Sequence, residues 1–205
     1  QTINQGSYLN QYFAATKDNG YAFNVPLQNF VDQFEQTGSG IYDPRLDYTV
    51  GRLGQNWING TAFNPSWSQT GYLQKKHLQP TKEAAIIGDG GLNYVYIRYA
   101  DILLMKAEAL NEQGKSAEAL IPLNSIRVRA RESYLYDVDL PTSGAVPLDL
   151  LPDVVNTNQS DVRDAIRHER RVELGFEFHR FFDLMRYGSQ VAETALSGTN
   201  FNYEE

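Results

Sequence analysis

Cysteine is absent from the 205 residues. That excludes disulfides, thiolate zinc sites, cysteine nucleophiles and any lipid-attachment cysteine within the chain itself. No apolar run approaches the roughly 20 residues of a membrane span, and no signal peptide opens the sequence. Basic residues are outnumbered: 18 Lys+Arg against 25 Asp+Glu leave a net charge of -7. A nucleic-acid partner, whose phosphates demand a basic face, is therefore not expected. The short runs Lys75-Lys76 and Arg170-Arg171 do not change this. Histidine is also scarce, and His77, His168 and His179 show no metal-ligand spacing. His168-Glu169 begins the zinc-protease pattern, but Val172 stands where the second histidine is required, so neither metal nor cofactor is implied.

Apolar residues make up 41% of the chain and aromatics 12%. That is globular, and a chain of this length buries about 70% of its extended surface. The clearest periodicity lies in residues 96–131. Ile97, Ala100, Leu104, Ala107 and Leu110 step by three or four, which predicts one face of a helix. Gly114 is placed to end that helix in the left-handed conformation, and Ser116 is a candidate N-cap for the next. Leu120, Leu123 and Ile126 form the second stripe, while Ala107 and Ala119 would let the two backbones approach closely. Ala107, Gly114, Ala119 and Leu123 also fit the spacing of a tetratricopeptide half-repeat. Pro122 requires that the second helix begin nearby or bend there.

Residues 1–95 are irregular and aromatic-rich, with both tryptophans among Asn, Gln and Gly clusters. A short helix is expected over 27–34, and a turn at Asp43-Pro44-Arg45. Residues 132–159 hold no Lys or Arg and are broken by four Pro/Gly positions, so short turns are expected there. Ser160 is then placed to cap one long charged helix over 160–187, with Gly188 past its end and a tail over 189–205. On that helix Arg170, Glu173, Glu177, Arg180 and Asp183 are three- or four-residue neighbours. Such a row reads as a salt-bridge network holding the helix against the hairpin, in preference to a carboxylate site.

The Gly88-Asp89-Gly90-Gly91 run lacks the strand-turn-helix context of a phosphate loop, and no G-x-S-x-G elbow is present. Glycosidase chemistry would need two facing carboxyls, for which Asp137, Asp139, Asp149 and Asp153 are candidates by type alone. The more informative set pairs aromatics with amides: Trp57 with Asn56 and Asn59, and Trp67 with Gln69 and Tyr72. Tyr48 is a further candidate. A flat ring covers the C–H face of a pyranose while amides satisfy its hydroxyl rim. On composition alone, the same tryptophans read more readily as core anchors of an irregular segment, since large aromatics are usually mostly buried.

The blocks RYADILLMKAEALNEQG, LNSIRVRA and AIRHERRVELGFEFHRFFDLMRYG, preceded by IYDPRLDYTV and GYLQKKHL, resemble the SusD/RagB family of nutrient-binding outer-membrane lipoproteins. The resemblance covers about residues 26–188. Phe178 departs from it, standing where glycine is usual. It implies a mainly α fold of TPR-like hairpins with long irregular loops, and identifies the chain with the C-terminal portion of one such domain. That portion divides into an aromatic loop segment (1–95), hairpin (96–131), loop (132–159), charged helix (160–188) and tail (189–205). The resemblance further implies a non-catalytic, surface-exposed outer-membrane lipoprotein. Such a protein binds oligosaccharides or other nutrients and delivers them to a TonB-dependent transporter. Membrane contact would run only through a lipid anchor in an N-terminal part preceding Gln1. The rival readings are a helical-repeat protein adaptor and a glycosidase.

Overall fold

The computed structural model describes residues 7–58, 60–79, 90–137, 140 and 144–197. Short elements come first: α1 (Leu9–Phe13), α2 (Gln28–Val31), α3 (Arg45–Thr49), and strands β1 (Val50–Gly51) and β2 (Leu73–Gln74). The strands pair antiparallel, with Val50 opposite Gln74 and Gly51 opposite Leu73. The scaffold follows: α4 (Tyr99–Glu112), α5 (Ser116–Arg131), α6 (Gln159–Glu173), α7 (Arg180–Tyr187) and α8 (Ser189–Ser197). The fold is mainly α-helical with this one small sheet among the described residues.

The hairpin forms as its periodicity predicts. α6 lies against both of its helices, and Leu104, Ala107, Ala119, Leu123, Ile126, Val162, Ile166 and Leu174 bury together as one core. Ala107 and Ala119 are both fully buried, the requirement for close backbone approach. Gly114 takes a φ of +76°, which suits a residue without Cβ. Ile97 is a correction: it precedes the helix and is exposed, because Arg98 is the N-cap. Ser116 is another: its hydroxyl donates to Asn111 Oδ1 at 2.7 Å instead of capping α5. Asn111 in turn exchanges hydrogen bonds with Gln159 at 2.7 and 2.9 Å, fastening the end of α4 to the start of α6. Pro122 lies buried inside α5, which continues past it at the loss of one i→i−4 bond.

Residues 132–159 are pinned to the scaffold. Tyr134, Leu140, Leu150 and Leu151 bury with Ala130, and the Asn124 side chain bridges both polar groups of the Val154 backbone at 2.9 Å. The cap of α6 is Asn158, two residues ahead of the expected Ser160. Its side chain accepts from Ser160 N at 2.9 Å and Asp161 N at 3.3 Å.

The single charged helix expected over 160–187 is two helices, and α8 occupies part of the expected tail. The break spans 174–178, where Phe176 and Phe178 both adopt positive φ, 63° and 62°. Phe178, at the position where the resemblance leads one to expect glycine, thus occupies a conformation in which glycine is the comfortable residue. The carbonyls freed by the break are taken up by remote side chains. Lys76 Nζ and Arg98 Nη2 donate to Glu173 O at 2.9 and 2.7 Å. His77 Nε2 lies 3.0 Å from Phe176 O, and Tyr94 Oη donates to Glu177 O at 3.1 Å. Helix ends need such partners when buried.

Candidate functional site

Two constellations stand out: a carboxylate row running from α6 into the break after it and an aromatic surface near the start of the chain. The row is Glu169, Glu173 and Glu177, buried and spaced by four. Arg45, bidentate on Asp43 at 2.6 and 3.0 Å, also donates to Glu169 and, at 3.0 Å, to Glu173. Arg98 bridges Glu173 at 2.6 Å and Glu177 at 2.7 and 2.9 Å. Arg127 joins Glu169 at 3.1 Å to Glu35 at 2.7 and 2.9 Å. Arg129 donates to Glu173, and Lys76 to Glu177 at 2.7 Å.

Burial pushes the Glu173 carboxyl up, but the charges of Arg45, Arg129 and Arg98 outweigh it and hold the pKa at about 2. Glu35 behaves alike: burial raises it, while His168 and Arg127 bring it to about 2. Carboxyls held this low stay ionised and enclosed by cations, which suits fastening and not proton transfer. The expected pairs along the helix are corrected. Arg170 pairs with Asp101 and Asp183 instead of Glu173, and among the described residues Arg180 forms no ion pair with Glu177 or Asp183. The network crosses between elements: Arg45, Lys76, Arg98, Arg127 and Arg129 reach the glutamates from outside α6.

The tryptophans divide. Trp57 is 3% exposed and packs with Ala15, Phe63 and Leu73. A Cβ added at Gly51 would meet its ring at 2.5 Å, so the strand residue above it has to be glycine. Trp57 therefore anchors the loop segment and presents no stacking face, correcting that expectation. Trp67 is half-buried at the end of a turn over Pro65–Trp67, which Asn64 caps by accepting from Ser66 N at 3.0 Å. Its ring meets Phe63 edge-on at 5.2 Å, and Lys17 Nζ lies 4.6 Å from its centroid.

Asn56 is exposed beside Trp57, bridged to Ala62. Asn59 lies outside the described residues. Tyr72 is half-buried against the Val31–Phe34 core and donates to Gln28 Oε1. Tyr48 is exposed on α3, its hydroxyl on Asp137. Among the described residues neither tyrosine ring pairs with a tryptophan, so the structure does not gather these four rings into one surface.

A different aromatic surface exists. After α1 the chain turns at Thr16–Asp18 and folds back, with Tyr21 N and Phe23 N donating to Gln11 O and Tyr12 O, both at 2.8 Å. Gly20 permits the return, since a Cβ there would meet Ala14 O at 2.3 Å. The fold-back collects Tyr8, Tyr12, Tyr21 and Phe23, all exposed by 42–52%. Tyr12 lies 6.2, 6.3 and 6.1 Å from the rings of Tyr8, Tyr21 and Phe23. Tyr21 and Phe23 also border a groove of about 590 Å³, shared with Asn24, Trp67 and Gln69. The density of rings over residues 8–23 is visible in the sequence; their convergence needs the turn. Among the described residues no group of His, Asp and Glu is arranged to hold a metal ion.

Comparison with known proteins places this architecture. SusD-like protein P38 of Formosa agariphila is 45% identical over 100 residues, covering 48% of this chain and 18% of that protein. SusD-like protein P2 of the same organism is 37% identical over 108 residues, covering 50% and 19%. A solved SusD superfamily protein from Bacteroides vulgatus superposes with a TM-score of 0.69 at 25% identity, over 94% of this chain and 41% of that one. A SusD-like carbohydrate binding protein from Bacteroides fragilis gives 0.69 at 26%, over 94% and 40%. The matches thus span about a fifth of the curated relatives and two fifths of the solved chains. The family model described as the SusD family matches residues 1–205, and the chain belongs to that family.

Proposed function

We propose that this chain is the C-terminal portion of one SusD-like domain, in a non-catalytic outer-membrane lipoprotein. Its role is to bind oligosaccharides at the cell surface and hand them to a TonB-dependent transporter. The carrying observation is the exposed ring cluster of Tyr8, Tyr12, Tyr21 and Phe23, continuous with the groove bordered by Trp67. Its rings offer C–H-stacking faces, and Asn24 and Gln69 offer amides to the hydroxyl rim. Several modest stacking contacts hold a ligand that must also be released to a transporter. The enclosure of Glu169, Glu173 and Glu177 by cations supports a scaffold role for the acids and a binding role for the protein.

Membership of the family and likeness to a SusD-like carbohydrate binding protein support the ligand class. No helix among the described residues is long and apolar enough to cross a membrane, in keeping with attachment by a lipid. The test is oligosaccharide titration by calorimetry on the intact protein, with ligands chosen from a glycan array. Tyr12→Ala, Tyr21→Ala and Trp67→Ala should each weaken binding several-fold to about tenfold, with melting temperatures near the parent's. Unchanged affinity in all three would overturn the platform. Sugar release by the parent protein would overturn the non-catalytic reading.

A further inference from the structure

A second depression, of about 510 Å³, opens between residues 24–30, the α6–α7 break and the end of α8. That is within the usual range of roughly 300–1,000 Å³ for small-molecule pockets. Its walls are apolar: Leu27, Phe30, Leu174, Phe178, Phe181 and Leu196 among them. Arg171 and Arg180 also line it, and their situation is unusual in this chain. Arg45, Arg98, Arg127, Arg129 and Arg170 all meet carboxylates. Arg171 instead donates to the side chain and carbonyl of Asn29, and neither it nor Arg180 is ion-paired among the described residues. The nearest acid in sequence, Asp183, is already taken by Arg170 at 3.2 Å and Arg186 at 3.0 Å.

Two guanidiniums border one apolar cavity whose one acid among the described lining residues, Asp183, is shared with Arg170 and Arg186, so their charge is under-compensated. Burial lowers the pKa of Arg180, and burial together with the Arg180 charge brings Arg171 down to about 10. An anion would relieve both. The apolar walls decide its body. Besides the arginines and Asp183, the polar lining is Asn24, Asn29, His179 and Thr194, and Asn29 is already engaged by Arg171. A saccharide would find few partners for its hydroxyl rim on these walls, whereas an apolar body would cover the partly exposed Leu27, Phe178, Phe181 and Leu196.

We propose that this cavity binds an amphipathic carboxylate, with an apolar chain or ring against the Phe and Leu walls and its carboxylate accepting from Arg171 and Arg180. The cavity shares Asn24 and Val25 with the groove beside the aromatic platform, but the arginines and the Phe and Leu walls that carry the proposal are not part of that groove.

Calorimetry on the intact protein with octanoate, 1-octanol and glucuronate tests it. Octanoate should bind at least tenfold tighter than either of the others. Arg171→Gln and Arg180→Gln should each reduce octanoate affinity several-fold and leave 1-octanol unchanged, while Arg180→Lys keeps part of the preference. Phe181→Ala, at an exposed ring, should weaken octanoate and 1-octanol alike. Equal binding of octanoate and 1-octanol overturns the role of the arginines. Glucuronate binding as tightly as octanoate overturns the apolar body, and no binding of octanoate overturns the site. The ligand comparison on the unsubstituted protein decides the matter even if an arginine variant misfolds.

Discussion

Glu173→Gln is the sharpest perturbation of the α6 row, because its effect depends on pH in a calculable way. The side chain is 2% exposed and accepts from Arg45, Arg98 and Arg129. Its carboxyl sits at about 2 against an ordinary 4.5. A depressed carboxyl contributes stability that is fully present above its unfolded pKa and lost as pH falls through the folded one. Here that window runs from 4.5 down to about 2. At about 1.4 kcal/mol per pKa unit, the ionised group contributes on the order of 3 kcal/mol at pH 7. The same linkage leaves about 1 kcal/mol at pH 3. Breaking a buried pair by removing one partner costs about 3–5 kcal/mol, a consistent size. Urea unfolding of parent and variant at both pH values should therefore show a loss of about 3 kcal/mol at pH 7 that shrinks by about 2 kcal/mol at pH 3. A loss that is equal at the two pH values would refute the assignment of stability to this carboxylate's charge.

Ala107→Leu should overpack the α4–α5 interface and lower stability by about 1–3 kcal/mol, read by thermal melting; an unchanged melt would contradict the close approach of the helices. Gly51→Ala should force its Cβ against the Trp57 ring and destabilise the loop segment with a shift in tryptophan emission. An unperturbed emission spectrum and melt would mean that Trp57 is not held beneath β1.

The hairpin was legible because local rules specify it: a 3.6-residue period, Gly114 at the turn and small residues at the contact. The break after Glu173 was hidden for the opposite reason. No proline marks it, and helical spacing continues through Phe181 and Leu184. What stabilises it are Lys76, His77, Tyr94 and Arg98, which lie 75 to 99 residues upstream of the carbonyls they meet. Gly175 is explained only by the approach of Phe30, whose ring lies 2.4 Å from where a Cβ would stand. At the aromatic site the composition was visible, but the choice among rings was not. Trp57 sits in a polar stretch yet lies under a strand, whereas Tyr12 and Tyr21 converge through a fold-back that no periodicity announces.

The carboxylate row of Glu169, Glu173 and Glu177 bears on how the chain gains its shape. Its partners reach it across long contours: Arg45 is 124 residues from Glu169, and Lys76 is 101 from Glu177. Closing such loops costs entropy, but the cost grows only logarithmically with length, by about 0.6 kcal/mol per doubling. Local contacts predict that α4 and α5 form first, carrying Arg98, Arg127 and Arg129 on a preformed strut. Once these meet the glutamates, Arg45 and Lys76 would close onto a site that is already organised. The irregular first half, which carries the ring platform, is then expected to join late, and φ-values near zero for its core residues would bear this out.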